Sequence, residues 1–396
     1  MEEASSEPGQ LFGAIVRRVR SIARQVVAEG QAADTVAGAI VEQLRAPDLR
    51  FAFVFSDWRL DPSTMAHVTQ RGLAPAATAG ATTIGVIARE VGPGTAQRAV
   101  GLGFYGDWIR VGIGVAPDLP KSALTRSRDA VHHAALALGT TAAALDPNQH
   151  VGITLVDGRC GHEEAFCIGS AAAAPQIRMV GGSAATLVSS ERKTYVWVKG
   201  EVMTGAGIAL VLESQLPFCA VTSSHVIPTE LKTVVTVANG RVISELDGRP
   251  AASRLRDLVA PLGDTVGDLA SNYSFARYID GVPYVRSIAH VDGERLMLAS
   301  AVDAGHVLRV MRPGDLIGTT TRDLATAAER VGGRMAAFLA FSCLGRHYEA
   351  AARQIERELA GAYAAHSSIG FQTFGEQSNM LLVNHTLTGL AIGVSR

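Results

Sequence analysis

Near the C-terminal end of the chain, Arg346, Glu376, Thr373, Asn384 and Ser342 stand at or beside the ends of short apolar runs. A guanidinium can hold a carboxylate through two parallel hydrogen bonds, and a carboxylate can receive an ammonium group. Arg346 and Glu376 together suit an amino-acid zwitterion, with Thr373 and Asn384 as neutral partners and Ser342 beside them. The alternative is that the two ions pair with each other, while Thr373 and Asn384 only shape turns.

A second chemistry centres on Cys343. It follows an apolar run and precedes a helical pattern, where a helix N-terminus lowers a thiol pKa, and His347 on that helix could act as its base. No Gly-x-Ser-x-Gly elbow accompanies it. A third is iron: His225, His290, His306 and His385 are candidate axial ligands for a haem. Cys160, His162 and Cys167 match no zinc spacing, so no metal is expected.

Composition narrows the classes. The chain has 396 residues, 47% of them hydrophobic and 18% charged, with a net charge of −1. That length carries two or three domains, and that charge gives no global field for nucleic acid or an anionic membrane. Four cysteines without a Cys-x-x-Cys pair read as thiols of a reducing compartment. With no apolar run near the length of a membrane span and no secretory signal, the expected location is cytoplasmic.

The elements that position these residues follow from periodicity. Ala336–Ser342 reads as a buried strand. Tyr348, Ala352, Ile355, Leu359 and Ala362 form one face of a helix, and residues 370–374 return as a strand. The same order recurs at 51–56, 62–71 and 79–88, and at 150–156, 162–174 and 177–184. Gly80-x-x-Thr83-x-Gly85 parallels Gly370-x-x-Thr373-x-Gly375. Each copy is close to the ~30 residues of a strand–helix–strand unit. The expected fold is α/β, with layered mixed sheets built from these units, helices outside and two pseudo-similar halves. Residues 234–242 turn at Asn239-Gly240, a hairpin signal. Leu11–Glu29 reads as a basic amphipathic helix, an extension over residues 1–31 that docks through Leu11, Ile15, Val19, Ile22 and Val26. Ser214 and Pro217 mark a boundary between domains at 32–213 and 220–396.

Several stretches, in this order, resemble the FIST sensor proteins with their tandem N-terminal and C-terminal domains. They are FAFVFSD at 51–57, GATTIGVI at 80–87, VGGSAA at 180–185, ISELDGRPA at 243–251, FSCLGR at 341–346, GFQTFGEQ at 370–377 and NHTLTG at 384–389. The resemblance implies a ligand-sensing input protein of bacterial signalling, without enzymatic activity, that binds a small molecule such as an amino acid. Its output would pass to a separate partner such as a histidine kinase or a cyclase. Some members bind haem and sense nitric oxide, so a haem-based sensor is the first alternative and a Cys343 thiol enzyme the second. Ala81 and Val86 stand where the family often has Cys and Glu, which directs attention to the C-terminal copy and Glu376. Leu382 and Val383 stand where haem-binding members often have His, and here the histidine follows the asparagine as His385.

Overall fold

The computed structural model describes residues 22–88, 96–187, 192–262, 272–279 and 281–394. Three strand–helix–strand units dominate it, as the repeats imply. Leu49–Asp57 is followed by helix Pro62–Leu73 and a parallel strand, Ala77–Thr83. His150–Val156 is followed by helix Glu163–Ala173 and the parallel strand Met179–Ser183. Met335–Cys343 is followed by helices Leu344–Ala352 and Glu356–Ala365 and the parallel strand Ser368–Thr373. The last unit departs from the continuous helix expected there. Gln354 adopts φ +58° and breaks the helix in two, and Tyr348 turns half-exposed.

Each unit lies in its own sheet, and the three sheets turn one face inward onto a shared core. Phe51, Phe53 and Phe55 meet Ile153, Leu155, Leu339, Phe341 and Phe371 there. Phe55 packs against Phe371 with the rings tilted by 34° and their centroids 4.4 Å apart. The alternate residues Ala52 and Val54 pack outward under helices Ala33–Leu44 and Pro62–Leu73, while Phe338 and Ala340 do the same beneath the third unit's helices. Sheets covered on both faces explain why these strands read as continuous apolar runs.

The residues between the second and third units form a separate element. Six strands, Ile227–Asn239, Val307–Arg312, Ser274–Ile279, Val282–Asp292, Arg295–Leu298 and Val242–Leu246, lie in this order. The first also pairs with the last, so they close into a ring. Gly240, at φ +58°, makes the expected hairpin turn. Helix Ala251–Val259 packs Ala252, Leu255 and Val259 into the ring's own core.

The expected N-terminal helix is corrected where it can be seen. Leu11–Ser21 lies outside the described residues, but Ala23–Glu29 is a strand antiparallel to Arg98–Tyr105. Val26 and Ala28 are buried and alternate with less buried neighbours, so the period-2 pattern and the β-branched Val26-Val27 prevail over the helical stripe.

Strand contact within each unit is tight at one glycine. A Cβ at Gly370 would lie 1.8 Å from the Ala340 carbonyl oxygen of the paired strand. Gly370→Ala should therefore cost at least ~3 kcal/mol in urea unfolding. Gly361→Ala, on helix Glu356–Ala365 with open space around the added methyl, should be neutral or stabilising by up to ~1 kcal/mol.

Candidate functional site

The C-terminal ends of the second and third units face the ring, and between them lies a cavity of about 570 Å³. Ile288 and Leu298 of the ring, Leu344 and Ala352 of helix Leu344–Ala352, and Phe374 form its apolar walls. Arg159, Arg241, Arg353, Glu349 and His385 bring charge or polarity to it. Arg241 reaches from the ring to Glu163 and Glu164, at 2.6 and 3.0 Å. Those acids stand in the first turn of helix Glu163–Ala173, where the helix dipole also favours them. Arg159 lies over the Phe374 ring, 5.5 Å from its centroid.

One wall is a buried polar network. His225 Nε2 sits 2.6 Å and His385 Nε2 3.1 Å from the same oxygen, Oε2 of Glu349. Arg353 donates to the other oxygen at 2.7 Å. Ser287 Oγ of the ring lies 3.2 Å from His385 Nδ1, and Arg346 Nη1 lies 3.4 Å from His225 Nδ1. Burial works against the Glu349 carboxylate, but hydrogen bonds from the two imidazoles prevail and hold its pKa well below the usual range. Burial also brings His225 down to about 4, against the pull of Glu349. His225 is thus neutral at pH 7, donating Nε2–H to an ionised carboxylate.

The five residues expected to bind ligand sit in the layer behind this wall, and none of them lines the cavity. Arg346 is fully buried, donating from Nη2 to Thr320 Oγ1 at 2.6 Å. Glu376 is fully buried between the hydroxyls of Thr373 and Thr386. Burial pushes its pKa up to about 8, although both hydroxyls and Arg346 oppose the rise. Ser342 Oγ pairs with the Tyr363 hydroxyl at 2.9 Å. Asn384 is buried with neither side-chain polar atom bonded to protein. Arg346 and Glu376 therefore do not face this cavity together. The helix that carries Arg346 turns it inward beside Leu344 and Ala350, and presents Glu349 and Arg353 to the cavity instead.

Cys343 does line the cavity, but burial pushes its thiol pKa up rather than down. His347 faces a different, smaller cavity of about 270 Å³ with Asp57, Arg59 and Gln372, so the expected cysteine–histidine pair is not assembled. As a haem site the wall fits poorly. His385 has both ring nitrogens engaged, and an iron taking one of them would strip a hydrogen bond from Glu349 without using its charge. The sequence reading missed Glu349, Arg353, Ser287, Arg159 and Arg241. The one local signal was the i, i+4 pair Glu349–Arg353.

The FIST N domain matches residues 48–249 and the FIST C domain residues 251–379. The chain belongs to the FIST family, whose domains are small-ligand sensing domains of signalling proteins. No curated protein matches it. Among solved structures, a cyanuric acid hydrolase from A. caulinodans is similar at 14% identity and a TM-score of 0.37, over 94% of this chain and 99% of the other. Among the described residues no helix is long and apolar enough to cross a membrane.

Two outcomes follow from this burial. Arg346→Ala should lower stability by roughly 2–3 kcal/mol, through unpaired His225 and Thr320 and a lost side-chain volume, while ligand affinity per folded molecule changes little. Glu376 has a raised folded pKa, so its contribution is fully present below about pH 4.5 and is lost as pH rises toward about 8. His225 acts oppositely, losing its contribution as pH falls from about 6.5 to about 4. Relative to wild type, Glu376→Gln should therefore gain stability from pH 5 to 8, at up to about 1.4 kcal/mol per pH unit, in parallel melts.

Proposed function

We propose that this chain is the ligand-sensing input of a bacterial signalling system. It takes a small anionic or zwitterionic molecule, such as an amino acid, into the 570 Å³ cavity and passes the signal to a separate partner such as a histidine kinase or a cyclase. The observation that carries this reading is the cavity itself, placed where strand ends of the three-sheet body meet the ring. Its volume suits a small metabolite, and its apolar walls with a few convergent polar groups are typical of such sites. Arg159, Arg241 and Arg353 line it and can each offer a carboxylate a charge-assisted hydrogen bond, with Arg241 exchanging for this its pairing with Glu163 and Glu164 and Arg353 its pairing with Glu349.

A binding role rather than catalysis is supported by the protonated Cys343 thiol and its separation from His347. The four unpaired cysteines suit a cytoplasmic setting. Because the cavity is bounded by both body and ring, an occupant that prefers one setting of the ring would shift the equilibrium between settings, which is what a sensor requires.

A thermal-shift screen of amino acids and small dicarboxylates should yield a compound that raises the melting temperature progressively with the logarithm of its concentration above Kd. Ala289→Trp, placed on an exposed wall position, should fill the cavity and abolish that shift while leaving the ligand-free melt close to wild type. A hit that binds the tryptophan variant with unchanged affinity by calorimetry would put the ligand elsewhere.

A further inference from the structure

The network on the cavity wall has a second capacity. Two imidazoles and one carboxylate converge there, and their nearest ligand atoms all lie within 4.8 Å of one another. We infer that His225, Glu349 and His385 form a binding site for a divalent first-row transition cation, open on one side to the cavity.

The donor set is the one that zinc or ferrous iron takes when positions are left for water or substrate. The three residues come from three separate parts of the fold. His225 lies between strands Phe218–Ser224 and Ile227–Asn239, Glu349 on helix Leu344–Ala352, and His385 in the turn before Thr386–Gly393. All three are buried, and none is on a mobile surface side chain. His385 sits at φ +57°, a left-handed conformation uncommon for a non-glycine residue, and this directs its ring at Glu349. Ligands about 2.1 Å from an ion stand about 3.0–3.4 Å apart. Of the present separations from Glu349 Oε2, the 3.1 Å of His385 is already in that range and the 2.6 Å of His225 would have to widen by several tenths of an ångström.

The proton balance is explicit. Without an ion, each ring keeps its proton on Nε2 and donates a hydrogen bond from it to the Glu349 carboxylate. With one, each ring stays neutral by carrying the proton on Nδ1, and both Nε2 lone pairs turn to the cation. Ser287 Oγ, now a donor to His385 Nδ1, rotates its hydroxyl and becomes the acceptor. His225 Nδ1 faces Arg346 Nη1 at 3.4 Å, which opposes both the new N–H and the cation, so affinity is set below that of an unopposed site. Glu349 and Arg353 cancel as a pair, and the ion with Arg346 leaves net positive charge. A carboxylate entering from the cavity would complete the shell. This last point rests on the cavity being a ligand site, whereas cation binding does not.

The test uses the full chain, stripped with chelator and titrated with Co(II) and Zn(II). Stoichiometric cobalt binding with visible ligand-field bands is expected, together with a zinc-dependent rise in melting temperature. His385→Gln and Glu349→Gln should each lose the bands, while a His132→Ala/His133→Ala variant on the exposed face of helix Leu119–Ala137 should keep them. Copper EPR of the wild-type protein needs no variant and should show coupling to two nitrogens. Sub-stoichiometric binding, a sulfur charge-transfer band, or undiminished bands in folded His385→Gln overturns the inference. Failure here with a thermal-shift hit retained would leave the small-molecule role standing, and the reverse result would separate them equally.

Discussion

The constraint on which the structure depends is the close approach of two parallel strands in each unit. Val54 pairs with Gly80, Thr154 with Gly181 and Ala340 with Gly370. At each of these glycines an added Cβ would fall 1.8–2.1 Å from the carbonyl oxygen of the paired residue. Backbone on both sides leaves nothing to yield, so only glycine permits the contact. Shortly beyond it each returning strand leaves its own sheet for a neighbour. After Thr83 the chain pairs Val86–Ile87 with the third unit, after Thr373 it pairs Glu376–Ser378 with the second, and after Ser183 it pairs Val196–Val198 with the first. The crossings form a cycle, which locks the three sheets around one core and fixes the strand ends that face the cavity.

Within that frame two glutamates show how environment decides charge. Glu376 is enclosed with two hydroxyls, which do not offset its desolvation, so its carboxyl pKa rises to about 8. Glu349 is also buried but receives two imidazole N–H groups and Arg353, so it stays ionised. The first acts inside the three-sheet body. The second stands at the junction of body and ring, where a buried charge without partners would be expensive. Keeping it paired obliges His225, His385 and Arg353 to hold their places.

The repeated units were legible because alternating apolar strands, helical stripes and spaced glycines are local signals. The motif Gly-x-x-Thr-x-Gly reflects both the strand contact and the crossing that follows it. The site was legible only to its neighbourhood. Charges at strand ends pointed to the right unit, but the sequence carries no sign of which way Arg346 turns on its helix. His225 and Glu349 are 124 positions apart, and the ring that brings Ser287 to His385 closes through pairing between distant strands. At the N-terminus, Arg24 to Glu29 satisfied a helical and an alternating pattern together, and a free sheet edge at Arg98–Tyr105 decided between them.

The same junction suggests why a sensor would place its polar groups here. Arg241 ties the ring to Glu163 and Glu164, Ala301 N donates to Glu164 at 2.8 Å, and Arg286 donates to the Leu382 carbonyl at 3.0 Å. These contacts and the Ser287–His385 bond are directed links between ring and body around the cavity. An occupant that draws Arg241 or Glu349 toward itself competes with those links one for one. The binding energy of such an occupant would act on the position of the ring as well as on the cavity walls, because Arg241 both lines the cavity and ties the two parts together.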